Sequence, residues 1–490
     1  MTATAALAYR GERGYRWAAL AGGALAFIAA VATGLGTTQL GPLGELSEVD
    51  AVTTIAAGRL PAGEPLTESA RTAHDCRGGV LGEARATLPC GSPGAPQQYP
   101  DGGRSLVGER ALGWSLLGAG WTAATPLWPL VDSLRLLAAL GWAFGVALLV
   151  WCQRFTRTPV AAAVTVALLL LASGPGMLLG AFAGPGSLSL LAGASLLLGV
   201  VLSRRSSSGW SALALIAQAV LWAILLPGAP ILLLATALTL FIVMSRAGPE
   251  FIVMSRAGPE STVTSRAGPE STVTSRAGPE SIVMPRAGPE SIVTSRTGPE
   301  PTVMSRILTP AALIGIAIAA PLLWAHWWQE RTAGTTVIAL LDLDPAADIV
   351  RTPAIRDRLE TVITLIVGGR GFAGDGWPAT STSPLLLACS VLVAALVAAG
   401  ILSAVMTRGA SRLVGALAAG ILGAVTLSWV AALGGLDQFD PSQPLAIASL
   451  LTPALVCAGH LLGRSWAVLP LGITGLAGVL TLIVAGPGWP

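Results

Sequence analysis

The stretch that decides the fold is Trp17-Ala-Ala-Leu-Ala-Gly-Gly-Ala-Leu-Ala-Phe-Ile-Ala-Ala-Val-Ala-Thr-Gly34. It carries no charged side chain and is close to the length of about 20 apolar residues that a helix needs to cross a bilayer. Arg10, Arg13 and Arg16 stand just before it. Basic residues ahead of a first span predict that residues 1–16 are cytoplasmic, and the length of the run indicates a retained signal anchor.

Segments of this kind recur along the whole chain. Of its 490 residues 53% are hydrophobic and 11% are charged, whereas soluble domains carry about 25% charged residues. The composition excludes an ordinary soluble protein and predicts an all-α polytopic membrane protein with about eleven transmembrane helices. A net charge of +3 without a basic, aromatic-rich patch argues against a nucleic-acid partner. Membrane lipids are the expected partners.

The predicted organisation follows the apolar blocks, which alternate with polar loops on the two sides of the membrane. The segments are a first transmembrane helix at 17–34, an extracytoplasmic loop at 35–132, transmembrane helices 2–6 at 133–244, a cytoplasmic loop at 245–306, a seventh transmembrane helix at 307–328, a second extracytoplasmic loop at 329–383, and transmembrane helices 8–11 at 384–490. Within the first loop, residues 112–130 are rich in Trp and broken by Pro126 and Pro129. They are expected to lie at the membrane interface, a further full span being the alternative.

Arginines in the short connections give an independent prediction of topology. The connections predicted inside carry them, as at Arg154, Arg157, Arg204, Arg205, Arg408, Arg412 and Arg464. The short connections predicted outside, around Gly184, Gly228 and 434–443, carry none. This alternation follows the positive-inside rule. It predicts a cytoplasmic N-terminus and an extracytoplasmic C-terminus in the cell membrane.

The loop at residues 245–306 belongs to a tandem repeat with a period of ten residues, whose most constant part is Ser-Arg-Ala-Gly-Pro-Glu. A Gly-Pro pair in each unit forbids a continuous helix. We expect a disordered cytoplasmic loop produced by tandem duplication. A stacked array of β-turns, or a docking platform, is the alternative.

The acidic stretch Gly44-Glu-Leu-Ser-Glu-Val-Asp50 follows the first span directly. The predicted helices lack the mid-membrane charges that ion-coupled transporters use, so polar chemistry is expected in the outside loops. Glu48 and Asp50 could act as a general base or bind a divalent cation together with a phosphate, and Glu45 is a further candidate. Taken alone, these residues favour a solvated acidic stretch or the charged first turn of a helix.

Other polar residues of the outside loops have simpler interpretations. Cys76 and Cys90 share the first loop, where either a disulfide or two free thiols is expected. Asp132 and Arg135, one helical turn apart, are interpreted as an interfacial pair with a snorkelling arginine. In the second loop, candidate ligands for a lipid phosphate are Arg351, Arg356 and Arg358. Pairing of these arginines with neighbouring acids on a solvated helix is the favoured alternative.

The whole arrangement resembles the GT-C superfamily of polytopic membrane glycosyltransferases. Glu48-Val-Asp50 fits the acidic E-x-D signature that these proteins carry soon after the first span, in a long first outside loop. Residues 51–61 are similar to the short helix and turn that often follow the signature, and residues 132–140 are similar to the opening of their second span. The resemblance implies transfer of a sugar from a polyprenyl-phosphate donor at the outer membrane face. In that role Glu48 or Asp50 would be a base or a metal ligand.

The alternative is a non-enzymatic membrane protein, either a flippase-like lipid transporter or a component of envelope assembly. The two hypotheses differ in one structural feature. An enzyme needs an outward groove with the acids at its floor, and a transporter needs a continuous path across the bilayer.

Overall fold

The computed structural model describes residues 3–41, 44–59, 65–77, 113–205, 383–406 and 443–486, with short pieces and single residues at 90, 94, 99, 103, 213, 217, 220–221, 319, 323, 414–415 and 417–418. Among these residues the regular elements are helical, and none is a strand. The chain is therefore all-helical over the described part, as its composition predicts.

The helices named in this article follow chain order. The first eight are α1 (Ala3–Gly36), α2 (Glu45–Ala56), α3 (Glu68–Arg77), α4 (Gly113–Ala124), α5 (Leu130–Cys152), α6 (Val160–Leu171), α7 (Gly174–Ala181) and α8 (Ser189–Arg205). The last three are α9 (Pro384–Met406), α10 (Gln443–Leu462) and α11 (Val468–Ala485). Single 3₁₀ turns, Gln153–Thr156 and Pro185–Leu188, continue α5 and precede α8.

Within the described residues, four helical stretches are long and apolar enough to cross a membrane: Glu12–Gly36, Leu130–Thr156, Pro384–Ala404 and Val468–Ala485. On α11 the exposed large side chains form one stripe, composed of Leu469, Ile473, Leu476, Leu480 and Val484. An exposed apolar stripe of this length is expensive in water and stable in lipid. These features suggest membrane association. The remaining predicted spans are either shorter apolar helices or lie outside the described residues.

Close helix packing depends on small residues. α1 packs along α5, and α5 also packs against α8. At Gly145 an added Cβ would lie 2.8 Å from the Leu190 Cβ, so only glycine allows the two helices to approach this closely. Small residues at such crossings are typical of membrane bundles, where close backbone approach replaces the hydrophobic effect between helices.

The stretch at 159–182, which the apolar pattern predicts as one span, contains two helices. α6 ends at Leu171 and α7 begins at Gly174, where the Gly-Pro pair interrupts helical hydrogen bonding. Ser173 caps α7 by accepting a hydrogen bond from the Gly176 N–H, and the Gly174 N–H donates to the Ser390 hydroxyl of α9 at 2.8 Å. A neighbouring helix thus satisfies a backbone group that the break leaves free, as an apolar environment requires.

The described helices have two distinct ends. At one end lie the C-terminus of α1, the N-terminus of α5 and the turn after α7. Hydrogen bonds join them there, since Arg135 donates to the Gly34 carbonyl and the Ala183 N–H donates to Glu45. At the opposite end Arg154 lies 3.6 Å from Glu12, and His460 contacts the Thr156 carbonyl. The sides of the membrane to which these ends belong remain a prediction.

Several sequence-based predictions fall outside the described residues. They concern the decapeptide repeat at 245–306, the second loop at 329–382, and most of the predicted spans between 210 and 244, at 307–328 and at 413–433. Within the first loop, the stretch predicted to lie at the interface contains α4, which ends at Ala124, ahead of both prolines.

Candidate functional site

The acidic stretch folds as the start of α2. Gly44 takes a left-handed conformation with φ of 82°, which favours glycine, and its carbonyl accepts the first helical hydrogen bond from the Glu48 N–H at 3.1 Å. Glu45 and Glu48 therefore lie in the first turn, where the helix dipole favours negative charge. All three acids are buried, with exposed fractions of 1% for Glu45, 4% for Glu48 and 1% for Asp50. A solvated acidic stretch is thus not what the chain forms here.

Glu45 is bound by Arg135 of α5, whose exposed fraction is only 2%. The Arg135 Nε donates to Glu45 Oε1 at 2.9 Å, and Nη2 donates to Oε2 at 2.8 Å. This is the two-pronged geometry that makes arginine the preferred partner of a buried carboxylate. Removing one member of such a pair leaves an uncompensated charge and typically costs about 3–5 kcal/mol.

The rest of the Arg135 guanidinium binds the C-terminal end of α1. Nη1 donates to the carbonyls of Gly34 and Thr37 at 2.5 and 2.6 Å, and Nη2 donates to the carbonyl of Gln39 at 2.6 Å. Together with the two bonds to Glu45, these contacts match the five N–H groups that a guanidinium possesses. The arginine thus serves as the cap of α1, whose last carbonyls have no helical partner.

Both carboxylate oxygens of Glu45 accept further hydrogen bonds. Its Oε2 also accepts the Gly41 N–H at 2.6 Å, and its Oε1 also accepts the Ala183 N–H at 2.9 Å. The neighbouring Phe182 ring lies 5.1 Å from the guanidinium carbon of Arg135. We call Glu45, Arg135 and the backbone groups that they bind the Glu45–Arg135 clamp. It joins α1, α2, α5 and the turn after α7 at one end of the bundle.

The interpretation of Asp132 and Arg135 as a snorkelling interfacial pair is wrong. Arg135 points into the protein because Glu45 and three carbonyls bind it there. Asp132 accepts a hydrogen bond from Arg77 of α3 at 2.6 Å instead. The side chains of Arg77 and Asp132 are each about one-fifth exposed, and their ion pair joins α3 to the start of α5.

Glu48 has a different kind of environment. Its Oε2 accepts a hydrogen bond from the Ser115 hydroxyl of α4 at 2.9 Å, and Ser115 is as buried as Glu48 itself. Close contact between the two helices depends on Gly118, where an added Cβ would lie 2.7 Å from Val52 Cγ2. The helix predicted to lie at the interface therefore covers the second acid of α2.

Asp50 supports the start of α3. Its Oδ1 accepts the Thr67 N–H at 2.6 Å, and Thr67 precedes the first residue of α3. The Thr67 hydroxyl in turn accepts from the Ala70 N–H at 3.3 Å and lies 2.9 Å from the Thr53 hydroxyl of α2. Asp50 thus fixes the entry of α3 against α2, which is a structural role.

The predicted pair Glu48 and Asp50 is not brought together. Residues two apart on an α-helix point about 200° apart around its axis. Accordingly, Glu48 contacts α4 and Asp50 contacts the residue before α3. For one divalent cation to be held by both carboxylates, both would have to leave these partners. Among the described residues, no group of three His, Cys, Asp or Glu side chains is placed to hold a metal ion.

α2, α3 and α4 belong to the loop predicted to be extracytoplasmic, and we call these three helices the outer module. A disulfide cross-links it. Cys76 at the end of α3 and Cys90 form a disulfide, with their Cα atoms 4.2 Å apart. Beside it, Tyr99 donates a hydrogen bond to Asp75 at 3.2 Å and accepts one from the Gly94 N–H. The His74 ring packs edge-on against Tyr99, 5.2 Å between centroids. This cluster binds Cys90, Gly94 and Tyr99 to α3 and to one another.

The other candidates from the sequence, Arg351, Arg356 and Arg358, lie outside the described residues. Two residues that contact the acids were missed as partners, namely Ser115 and Arg135. The sequence signal for Arg135 was an ionisable residue near the start of an otherwise apolar span. Ser115 offered no comparable signal, since one serine in an interfacial helix is unremarkable.

Scans of the chain against protein-family models and against curated proteins give no match.

Proposed function

We propose that the protein is a multi-pass membrane glycosyltransferase of the GT-C type, which moves a sugar from a polyprenyl-phosphate donor at the outer face of the cell membrane. The observation that supports this function best is Glu48, a buried carboxylate on a short helix directly after the first membrane helix. Buried ionisable groups are costly, and they persist where they are paired structurally or where chemistry uses them.

Comparison of the three acids selects Glu48. Both oxygens of Glu45 are held by charged or backbone donors that build the clamp. Asp50 is held by the backbone that begins α3. Glu48 instead shares a hydrogen bond with a hydroxyl, which can rotate and can accept as well as donate. A carboxylate with such a partner can exchange its hydrogen bond for one from a substrate hydroxyl.

In the proposed reaction Glu48 is the general base. It takes the proton of an acceptor hydroxyl while the acceptor oxygen forms a bond to the anomeric carbon of the sugar. The bond from that carbon to the phosphate oxygen breaks, and polyprenyl phosphate leaves with the bonding electrons. Should a divalent cation take part, it would stabilise the leaving phosphate, with Glu48 or Asp50 as the available ligands.

The surroundings of Glu48 suit a lipid-linked donor. Ser115 faces inward, whereas the next residues of α4, Leu116 and Leu117, are close to half exposed. The turn after α4 carries Leu127 and Trp128, which are also exposed. Apolar residues with Trp at this position are typical of the membrane interface. In the proposed topology this face meets the outer leaflet, and the disulfide lies in the oxidising compartment.

The experiment is transfer by purified protein in proteoliposomes, supplied with synthetic polyprenyl-phosphate pentoses or hexoses and short glycan acceptors. Release of free polyprenyl phosphate is measured. Glu48→Gln should abolish release, because the amide cannot accept a proton, and Asp50→Asn should reduce it through α3. Glu12→Gln, at an exposed acid of the opposite end, is the matched control and should be active. Full activity of both Glu48→Gln and Asp50→Asn would reject this site.

The alternative function is a non-enzymatic one, as a flippase-like lipid transporter or an envelope-assembly component. The observation in its favour is that Glu45 and Asp50 both accept hydrogen bonds that hold the fold together, Glu45 from Arg135 and Asp50 from the Thr67 N–H. This alternative predicts that Glu48→Gln leaves the protein functional in cells, and that proteoliposomes scramble a fluorescent polyprenyl phosphate without releasing any from a sugar-linked donor.

A further inference from the structure

Glu45 and Glu48 are mechanically linked by their spacing. Residues three apart on an α-helix are separated by about 60° around the axis and about 4.5 Å along it. A rotation or shift of α2 at Glu45 therefore moves Glu48 by a similar amount. Whatever fixes Glu45 therefore also constrains the backbone position of Glu48, and with it the place of its carboxylate relative to the membrane helices.

α2 also has apolar contacts with α5. Val49 and Val52 pack in one cluster with Val131 and Leu134 of α5. Apolar contacts are non-directional, so a sliding or rotating helix can preserve much of their burial. The Asp50 contact ties α2 only to the start of α3, which belongs to the same outer module.

The Glu45–Arg135 clamp holds α2 through hydrogen bonds, which are directional. Its hydrogen bonds reach Glu45 from α5, from Gly41 after α1 and from Ala183 after α7. Because these donors approach both carboxylate oxygens from separate segments, the position of Glu45 is determined in all directions. No comparable set of charge-assisted hydrogen bonds joins α2 to the membrane helices elsewhere in the described part of the chain.

We infer that Arg135 is a positioning residue for the proposed transfer reaction, acting through Glu45 to set the place of Glu48 relative to the membrane. This inference rests on the proposed function. Arg135 touches neither donor nor acceptor, so it contributes to the rate and not to donor binding. A displacement of about 1 Å at a reacting group can cost roughly 100-fold in rate.

The test compares Arg135→Lys with wild type in the proteoliposome assay. Lysine keeps the charge but has three donors and no planar fork, so it cannot reproduce the five bonds of the guanidinium. We expect kcat per assembled molecule to fall roughly 10- to 100-fold while the donor KM changes by less than about twofold. Assembled protein is counted by its intact Cys76–Cys90 disulfide and by stoichiometric binding of sugar-free polyprenyl phosphate.

Two further readouts separate positioning from a purely structural role. A purely structural role would lower the amount of assembled protein and leave its kcat and the pH profile of kcat/KM unchanged, and that result would overturn the inference. Displacement of Glu48 should instead move the acid limb of that profile. Thr474→Ala on α11, whose hydroxyl bonds only within its own helix, is the control.

The outcomes also distinguish this inference from the proposed function. Loss of transfer in Glu48→Gln together with wild-type kinetics in Arg135→Lys would overturn the positioning role alone. Retained transfer in Glu48→Gln would overturn the proposed function, and the positioning role with it.

Discussion

Two buried glutamates stand three residues apart on α2, yet their environments are opposite in kind. Glu45 accepts hydrogen bonds from charged and backbone donors of three segments of the chain, namely α5, the residues after α1 and the turn after α7. Glu48 lies against α4, where the Ser115 hydroxyl donates a hydrogen bond to its Oε2. The first arrangement cannot change without loosening the end of the bundle, whereas the second can exchange a partner locally. The difference teaches that burial of an acid alone does not identify a reactive group, because a buried carboxylate can be held by structural donors, as Glu45 is.

The largest loss of stability is expected when Glu45 loses its charged partner. Arg135→Leu leaves Glu45 buried without its charge partner, and α1 without its cap. We expect a loss of about 3–5 kcal/mol, the typical cost of an uncompensated buried charge. The measurement is unfolding in detergent, followed by the recovery of monodisperse protein after heating.

A matched double variant sharpens that result. Glu45→Leu with Arg135→Leu removes both charges, so part of the stability should return. Equal destabilisation by the single and double variants would show that the carbonyls of α1, and not the ion pair, carry the effect.

A smaller loss of stability is expected when the disulfide is removed, which lies apart from both Glu45 and Glu48 in the comparison. Cys76→Ser opens a loop with a sequence separation of 14 residues. The chain-entropy argument gives a loss of about 3 kcal/mol, confined to the outer module. Hydrogen exchange should therefore increase in α3, while α1 and α5 stay protected as in wild type. An equal increase in α1 and α5 would mean that the outer module and the clamp unfold as one unit.

The smallest stability effect should arise on the Glu48 side. Ser115→Ala removes one hydrogen bond to a carboxylate, which costs about 1.5 kcal/mol. The rate of sugar transfer should nevertheless fall by more than this loss of stability explains, because Glu48 loses the hydrogen bond that orients it. Ser115→Thr keeps the hydroxyl and should restore activity, as measured by release of polyprenyl phosphate. Unchanged transfer in Ser115→Ala would show that α4 does not orient the proposed base.

The helical class and the membrane character follow from the sequence because apolar runs of this length have few other stable forms. The eighth span, predicted at 384–406, has the bounds of α9. The spans predicted at 133–151, 445–462 and 466–484 differ from α5, α10 and α11 by at most three residues at either end. The break at Ser173 escaped prediction, since a Gly-Pro pair inside an apolar run is tolerated when a neighbouring helix supplies a partner, as Ser390 does.

The candidate site was predictable only in part. The acidic stretch and its place after the first span were visible in the sequence, as was the cysteine pair. That Glu45 pairs with a residue 90 positions away was not, because the nearer acid, Asp132, offered Arg135 a simpler partner. Long-range pairing in a bundle depends on which helices become neighbours, and periodicity along one helix contains no such information.

Chain order gives the clamp a consequence for biogenesis. During synthesis Glu45 emerges first, Arg135 follows, and the Ala183 amide that completes the carboxylate shell comes last. A nascent chain that ends before Ala183 therefore lacks one of the backbone donors of the Glu45 carboxylate. The Glu45–Arg135 pair obtains its full set of hydrogen bonds only after roughly the first two-fifths of the polypeptide has been made.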